Sequence, residues 1–275
     1  MRVALVGVVL LGCVACSDAV ETAPLPDGVV AHIDQSRVER KGREVFLRVE
    51  NGTKRSITIE KFTLTSPRLA TVEWSGDETI GATYEADLEF DMPKGRCGDE
   101  IDASVTLTYR IGDGELHEST APADDPYGNA ALFADRDCAQ STLASAADLE
   151  VGDPSVEGTG AASVLRLPVT LTPTGKASGV RFGGFGSTVL FRQAAGSPTD
   201  VDVPLDADAP PAELVMAVVP ARCDPHALAE DKVGTLFPVT VKAPGLPENA
   251  WFFLPLTKQQ RGAFFTFFRT HCGLD

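Results

Sequence analysis

Ile101-Asp102-Ala103-Ser104-Val105-Thr106-Leu107-Thr108-Tyr109-Arg110-Ile111 sets a side chain suited to a core at every second position. Side chains alternate across a β-strand, so this period puts one face in a core and leaves the other to solvent. Cys97 stands just ahead of the run, preceded by Ala86-Asp87-Leu88, Pro93 and Arg96. The same order recurs later. Ala212-Glu213-Leu214, Pro220 and Arg222 precede Cys223, and Val233, Thr235, Phe237, Val239 and Val241 then alternate. In both copies the acid, Asp87 or Glu213, lies 10 positions before the cysteine. Each unit closes on a second cysteine, Cys138 after 41 positions and Cys272 after 49. Four such cysteines admit three pairings. The repeat selects Cys97–Cys138 and Cys223–Cys272, one bridge in each of two duplicated domains.

Outward from these stretches the two-residue period continues. Val45, Leu47 and Val49 form one face of a strand, as do Tyr84, Ala86, Leu88 and Phe90. Ile57 and Ile59 are followed by Phe62 and Leu64, a phase slip that implies a bulge or bend. Gly112-Asp113-Gly114 marks a hairpin turn. Leu165 to Leu171, and Leu214, Met216 and Val218, repeat the alternation. No window shows a helical period, and Thr257 to Arg261 suits one capped turn. About seven short strands per unit imply an all-β protein of two tandem immunoglobulin-like β-sandwich domains. The expected boundaries are 29–143 and 144–275. The break falls near Gln140 to Ala146, where small residues interrupt the pattern.

The chain has 275 residues, 43% of them hydrophobic, with 25 glycines and 19 prolines. That suits packed domains rich in strands and turns. Against 24 lysines and arginines stand 39 acids, a net charge of −15. Such a field repels nucleic acid and anionic lipid, and no nucleic-acid partner is expected.

Met1-Arg2 and the apolar run Val3 to Leu11 have the form of a secretory signal, too short to span a bilayer. Leu10-Leu11-Gly12-Cys13 and Val14-Ala15-Cys16-Ser17 resemble the bacterial lipobox, in which small residues precede a cysteine that becomes lipidated. The resemblance implies lipidation at Cys13 or Cys16, leaving the two open. With it come a signal peptide over 1–15, a tether over 16–28, and an exported protein on the outer face of the cytoplasmic membrane, or secreted. The N-terminal lipid would be the sole membrane contact.

Candidate sites are few. Arg222-Cys223-Asp224-Pro225-His226 and His271-Cys272 are joined by the second bridge, so His226, His271 and Asp224 are candidates for zinc or copper. The alternative is that these histidines are structural. Gly183-Gly184-Phe185-Gly186-Ser187 lacks the lysine of a phosphate loop and reads as a bend between strands. Asn51-Gly52-Thr53 matches a glycosylation acceptor, which a bacterial signal makes irrelevant. Trp251-Phe252-Phe253-Leu254 and Phe264-Phe265-Thr266-Phe267-Phe268 read as strands covered on both faces, by a core and by the neighbouring domain, or else as an exposed docking face. No catalytic or cofactor motif is present.

The segment Ala221 to Lys232, with Gly234-Thr235 and Phe237-Pro238-Val239, resembles a stretch of uncharacterised exported proteins from actinobacteria, and the resemblance implies no activity. The expectation is therefore a non-catalytic envelope lipoprotein that binds an envelope protein or glycan. The alternatives are an enzyme acting on envelope polymers or a metal-binding protein.

Overall fold

The computed structural model describes residues 23–36, 42–229 and 233–274. Its first seven strands are β1 (Val29–Asp34), β2 (Glu44–Asn51), β3 (Ile57–Thr65), β4 (Val72–Ile80), β5 (Glu85–Asp91), β6 (Ser104–Ile111) and β7 (Leu116–Pro122). They form two antiparallel sheets, ordered β1-β2-β5 and β4-β3-β6-β7. The inner faces meet in one core, with Val45, Leu47 and Leu88 from the first sheet and Phe62, Leu64, Val105 and Leu107 from the second. The phase slip is a bulge: the register of β3 shifts between Ile59 and Lys61 against both of its neighbours.

Helix α1 (Asn129–Ala146) follows. Then come β8 (Ala147–Val151), β9 (Ser155–Glu157), β10 (Val164–Pro173), β11 (Arg181–Phe185), β12 (Phe191–Gln193), β13 (Val203–Pro204) and β14 (Ala212–Pro220). The short helix α2 (Pro225–Ala229), β15 (Pro238–Lys242), β16 (Trp251–Phe253) and helix α3 (Lys258–Cys272) complete the chain. The second pair of sheets is ordered β12-β14-β10-β8 and β13-β11-β15-β16. Set aside β9 and the edge strand β12, and the two halves have one topology. Strands β8-β10-β14 stand where β1-β2-β5 stand, and β13-β11-β15-β16 where β4-β3-β6-β7 stand. The protein is a tandem of immunoglobulin-like sandwiches.

The bridges are Cys97–Cys138 and Cys223–Cys272. Both occupy equivalent places. The first cysteine of each follows the fifth strand of the shared topology, and the second lies on the helix that follows the seventh strand. The repeating unit is therefore a sandwich plus a stapled helix.

Three expectations need correction. The described residues include two substantial helices, where no more than one capped turn was expected. The boundary placed between 143 and 144 falls inside α1, whose small residues are a packing surface and not a linker. The tether drawn over 16–28 is too long, because Ser119 Oγ donates to the Pro24 carbonyl at 3.1 Å and Leu25 packs against the first core.

Helix α1 explains its own concealment. Asp125 caps it by accepting from the backbone N–H groups of Asn129 and Ala131, at 2.7 and 3.1 Å. Ala130, Phe133 and Ala134 enter the first core, whereas Ala139, Leu143 and Ala146 enter the second. At about 100° per residue these triads point to nearly opposite sides of the helix. A helix that changes its buried face half-way shows no single apolar stripe. Three ties hold it to the first sandwich. One is the Cys97–Cys138 bridge. Arg43 grips both carboxylate oxygens of Asp137, at 3.0 and 2.8 Å. Arg68, buried, reaches Asp135 at 2.8 Å and the Arg96 carbonyl at 3.0 Å. Gly95 is needed beside it, since a Cβ there would lie 2.4 Å from the Ala134 Cα.

Helix α3 begins with a capping box: Thr257 accepts from the Gln260 backbone N–H while Gln260 Oε1 accepts from that of Thr257. Phe264, Phe267 and Phe268 then line one face, spaced as a helix requires, and pack around Phe191 and Phe237. The aromatic run read as a strand is thus a helix, and its spacing follows the 3.6-residue period.

Candidate functional site

The faces that α1 turns towards the second domain continue past the point where the domains touch. Leu132 and Arg136, one turn apart, lie on the same side of the helix as Ala139, Leu143 and Ala146. Alanines allow close approach in the C-terminal half of α1. In the N-terminal half the larger residues stand where the two sandwiches diverge, and a cleft of about 530 Å³ opens there. That volume suits a small-molecule site.

One wall is α1, with Leu132, Arg136 and the residues just before it, Tyr127 and Asn129. The opposite wall is β16, where the two-residue period points Phe252 into the second core and turns Trp251 and Phe253 to the cleft. The β11–β12 loop supplies Ser187, Thr188 and Val189. This loop is held by its own polar groups: Thr188 Oγ1 donates to the Gly234 carbonyl at 2.7 Å and accepts from the Phe191 N–H at 3.0 Å. Gln193 Nε2 donates to the Gly186 carbonyl at 2.6 Å. The wall is fixed in advance, which lowers the entropy cost of binding. Val189, Tyr127 and Leu132 are exposed, at 60%, 71% and 39%. Large apolar groups gathered at one concave place, and not scattered singly, mark a binding surface.

Arg136 is central. Its guanidinium lies 4.6 Å from the Phe133 ring centroid, 5.0 Å from that of Phe253 and 5.5 Å from that of Trp251. Burial outweighs the attraction of Asp137, and with repulsion from Arg43 it pushes the Arg136 pKa down to about 10. Asp137 is already engaged by Arg43. Among the described residues no carboxylate lies within ion-pairing reach of Arg136, and its one hydrogen bond is a long one, 3.4 Å from Nε to the Leu132 carbonyl. Among the described residues Arg136 is also the one charged side chain lining the cleft. The aromatic density of the segment already marked the Trp251–Phe253 wall in the sequence. Nothing there marked Arg136, which reads as an ordinary helix charge until the second domain covers it.

The residues singled out from sequence fall elsewhere. His271 Nδ1 pairs with Ser163 Oγ at 3.0 Å and its ring stands edge-on to Phe267 at 5.4 Å. The His226 N–H donates to Asp224 Oδ1 at 2.9 Å, a local turn at the start of α2. Among the described residues no three His, Cys, Asp or Glu side chains are grouped to hold a metal. The second bridge joins a loop to a helix end, and His271 turns towards Ser163, so the described residues give His226, His271 and Asp224 no shared cluster. Gly183 to Phe185 lie in β11, not in a bend, and Gly184, at φ 127°, sits where a Cβ would meet the Thr199 backbone at 2.6 Å. Asn51 is fully buried and donates to the carbonyls of Arg55, Ile80 and Gly81, so its role is to close a turn. Cys13 and Cys16 lie outside the described residues.

Two disulfides are the mark of an exported or extracellular protein. No helix among the described residues is long and apolar enough to cross a membrane. No family model and no curated protein matches the sequence. Among solved structures the chain is similar to red sea bream transglutaminase, at 12% identity and a TM-score of 0.24, over 84% of this chain and 31% of that one. It is also similar to the exo-chitosanase CsxA of Amycolatopsis orientalis, at 13% identity and a TM-score of 0.21, over 82% and 26%. A third is the BSP domain of a biofilm associated protein, at 9% identity and a TM-score of 0.23, over 88% and 61%. The chain spans under a third of the length of the first two, and TM-scores this low carry no argument about chemistry.

Proposed function

We propose that this is an exported lipoprotein, anchored through Cys13 or Cys16, with a non-catalytic binding role exercised at the cleft between its two sandwiches. The observation that carries the reading is the cleft itself, with Leu132 and Val189 exposed and Trp251 and Phe253 half-buried along its walls. Burying such groups is favourable by about 25 cal/mol per Å² of apolar surface, so leaving them uncovered favours a ligand that covers them.

The neutral fluorescent probe N-phenyl-1-naphthylamine tests this directly. Its emission should rise saturably with the full-length oxidised chain, at one equivalent, and Leu132→Asp should weaken binding at least about tenfold by putting a charge in the wall. Leu132 is exposed on α1, so that substitution leaves the fold intact. Emission that rises without saturation, or that ignores Leu132→Asp, sinks the cleft as the binding site. The anchor is tested separately. Radiolabelled palmitate should enter the wild-type chain in a lipoprotein-processing host and fail to enter a Cys13→Ser, Cys16→Ser variant.

A further inference from the structure

The cleft combines features that select among ligands. It is apolar and aromatic over most of its surface, and among the described residues it contains one charge, the positive Arg136. The chain as a whole carries a net charge of −15, with 39 acids in its sequence, yet among the described residues no acid lines this cavity. The three rings around Arg136 contact the guanidinium without consuming its N–H donors. Its two terminal nitrogens make no hydrogen bond among the described residues, and they keep access to solvent. A guanidinium presents parallel N–H donors that match the two oxygens of a carboxylate.

Resting on the cleft as the binding site, we infer that its ligand is a small carboxylate with an apolar body. The carboxylate sits on the free edge of Arg136, and the body lies against Trp251, Phe253, Leu132 and Val189. Charge decides for a carboxylate over a phosphate monoester. One cation balances a single negative charge, whereas a dianion here would keep an uncompensated charge in a strongly acidic protein. The cavity of about 530 Å³ admits a molecule of small-ligand size. Arg136 has a second reason to be read this way. A half-buried guanidinium without a carboxylate partner is costly to keep in the unliganded fold, and a carboxylate ligand supplies the partner the fold omits.

The test compares two probes of one shape, naphthalene-2-carboxylate and naphthalene-2-carboxamide, titrated calorimetrically into the full-length oxidised chain. The carboxylate should bind about tenfold tighter, the size of one charge-assisted bond over a neutral one. This preference runs against the repulsion expected from the net charge. Arg136→Met should bring the two probes within about twofold of each other, and Arg136→Lys should keep part of the preference because it keeps the charge. Near-UV circular dichroism establishes that each variant is folded. Should Arg136→Met lose its fold, the wild-type and Arg136→Lys comparisons decide. A wild type that binds the amide as tightly as the acid overturns the inference, as does a folded Arg136→Met that retains the preference. If neither naphthalene probe binds while N-phenyl-1-naphthylamine does, the inferred ligand class is wrong and the cleft reading survives. If no probe binds, the cleft reading itself has failed.

Discussion

Phe133→Ala should unfold both domains at lower denaturant, although Phe133 belongs to the core of the first alone. The ring is buried, at 4% exposure, and it also carries the guanidinium groups of Arg43 and Arg136 at 5.2 and 4.6 Å. Truncating a buried phenylalanine costs about 3–5 kcal/mol. With a urea dependence of roughly 3 kcal/mol per molar, the midpoint should fall by about 1 M or more. The loss should not stay local, because α1 runs on into the second core through Ala139, Leu143 and Ala146. The protein has two tryptophans, Trp74 in the first sandwich and Trp251 in the second. Urea titrations of Trp74→Phe and Trp251→Phe backgrounds therefore report each domain by its own fluorescence. Both signals should move together when Phe133→Ala is added. If the Trp74 transition drops while the Trp251 transition stays, α1 is a tether and not a shared structural member, and the reasoning from the two cores fails.

Three further expectations are independent of that one. Replacing Cys97 and Cys138 by serine should cost about 4 kcal/mol for a loop of 41 residues in the chain-entropy model, and thermal unfolding should show it as a lower Tm. Gly95→Ala should destabilise by about 1–3 kcal/mol, because the new methyl meets the α1 backbone and neither side can give way; a change under about 0.5 kcal/mol in urea unfolding would contradict the close contact. The preference for naphthalene-2-carboxylate should fade as pH rises through about 10. The burial that depresses the Arg136 pKa lets it discharge there, with Asp137 and Arg43 as the charges facing it. Sign matters here: the folded pKa lies below the unfolded one, so charging Arg136 costs stability, and that cost is present at neutral pH and disappears as pH rises through the unfolded value. A preference that is flat to pH 11 would place the anion somewhere other than Arg136.

Much of the sandwich was legible because strands with one buried face must alternate. Val45, Leu47 and Val49 are all buried, and so are Leu165, Leu167, Val169 and Leu171. The bulge in β3 could be read from a single slip of phase. Helix α3 was legible in principle, since Phe264, Phe267 and Phe268 keep helical spacing, but the density of aromatic residues imitated a strand. Helix α1 was not, because its two halves answer to different cores.

The sequence by itself determined the duplicated unit, its strands and which cysteines belong together, since these follow from local periodicity and matched spacing. What only the tertiary structure decided is the cleft. Leu132 and Arg136 on α1, Val189 in a loop, and Trp251 and Phe253 on β16 are separated by more than a hundred positions at the extremes, and no local pattern ties them together. They converge because α1 seats its small residues against the second domain and leaves its larger ones where the surfaces part. The same act of packing withdraws water from Arg136 without giving it a carboxylate, and so turns an ordinary helix charge into the feature that selects a ligand.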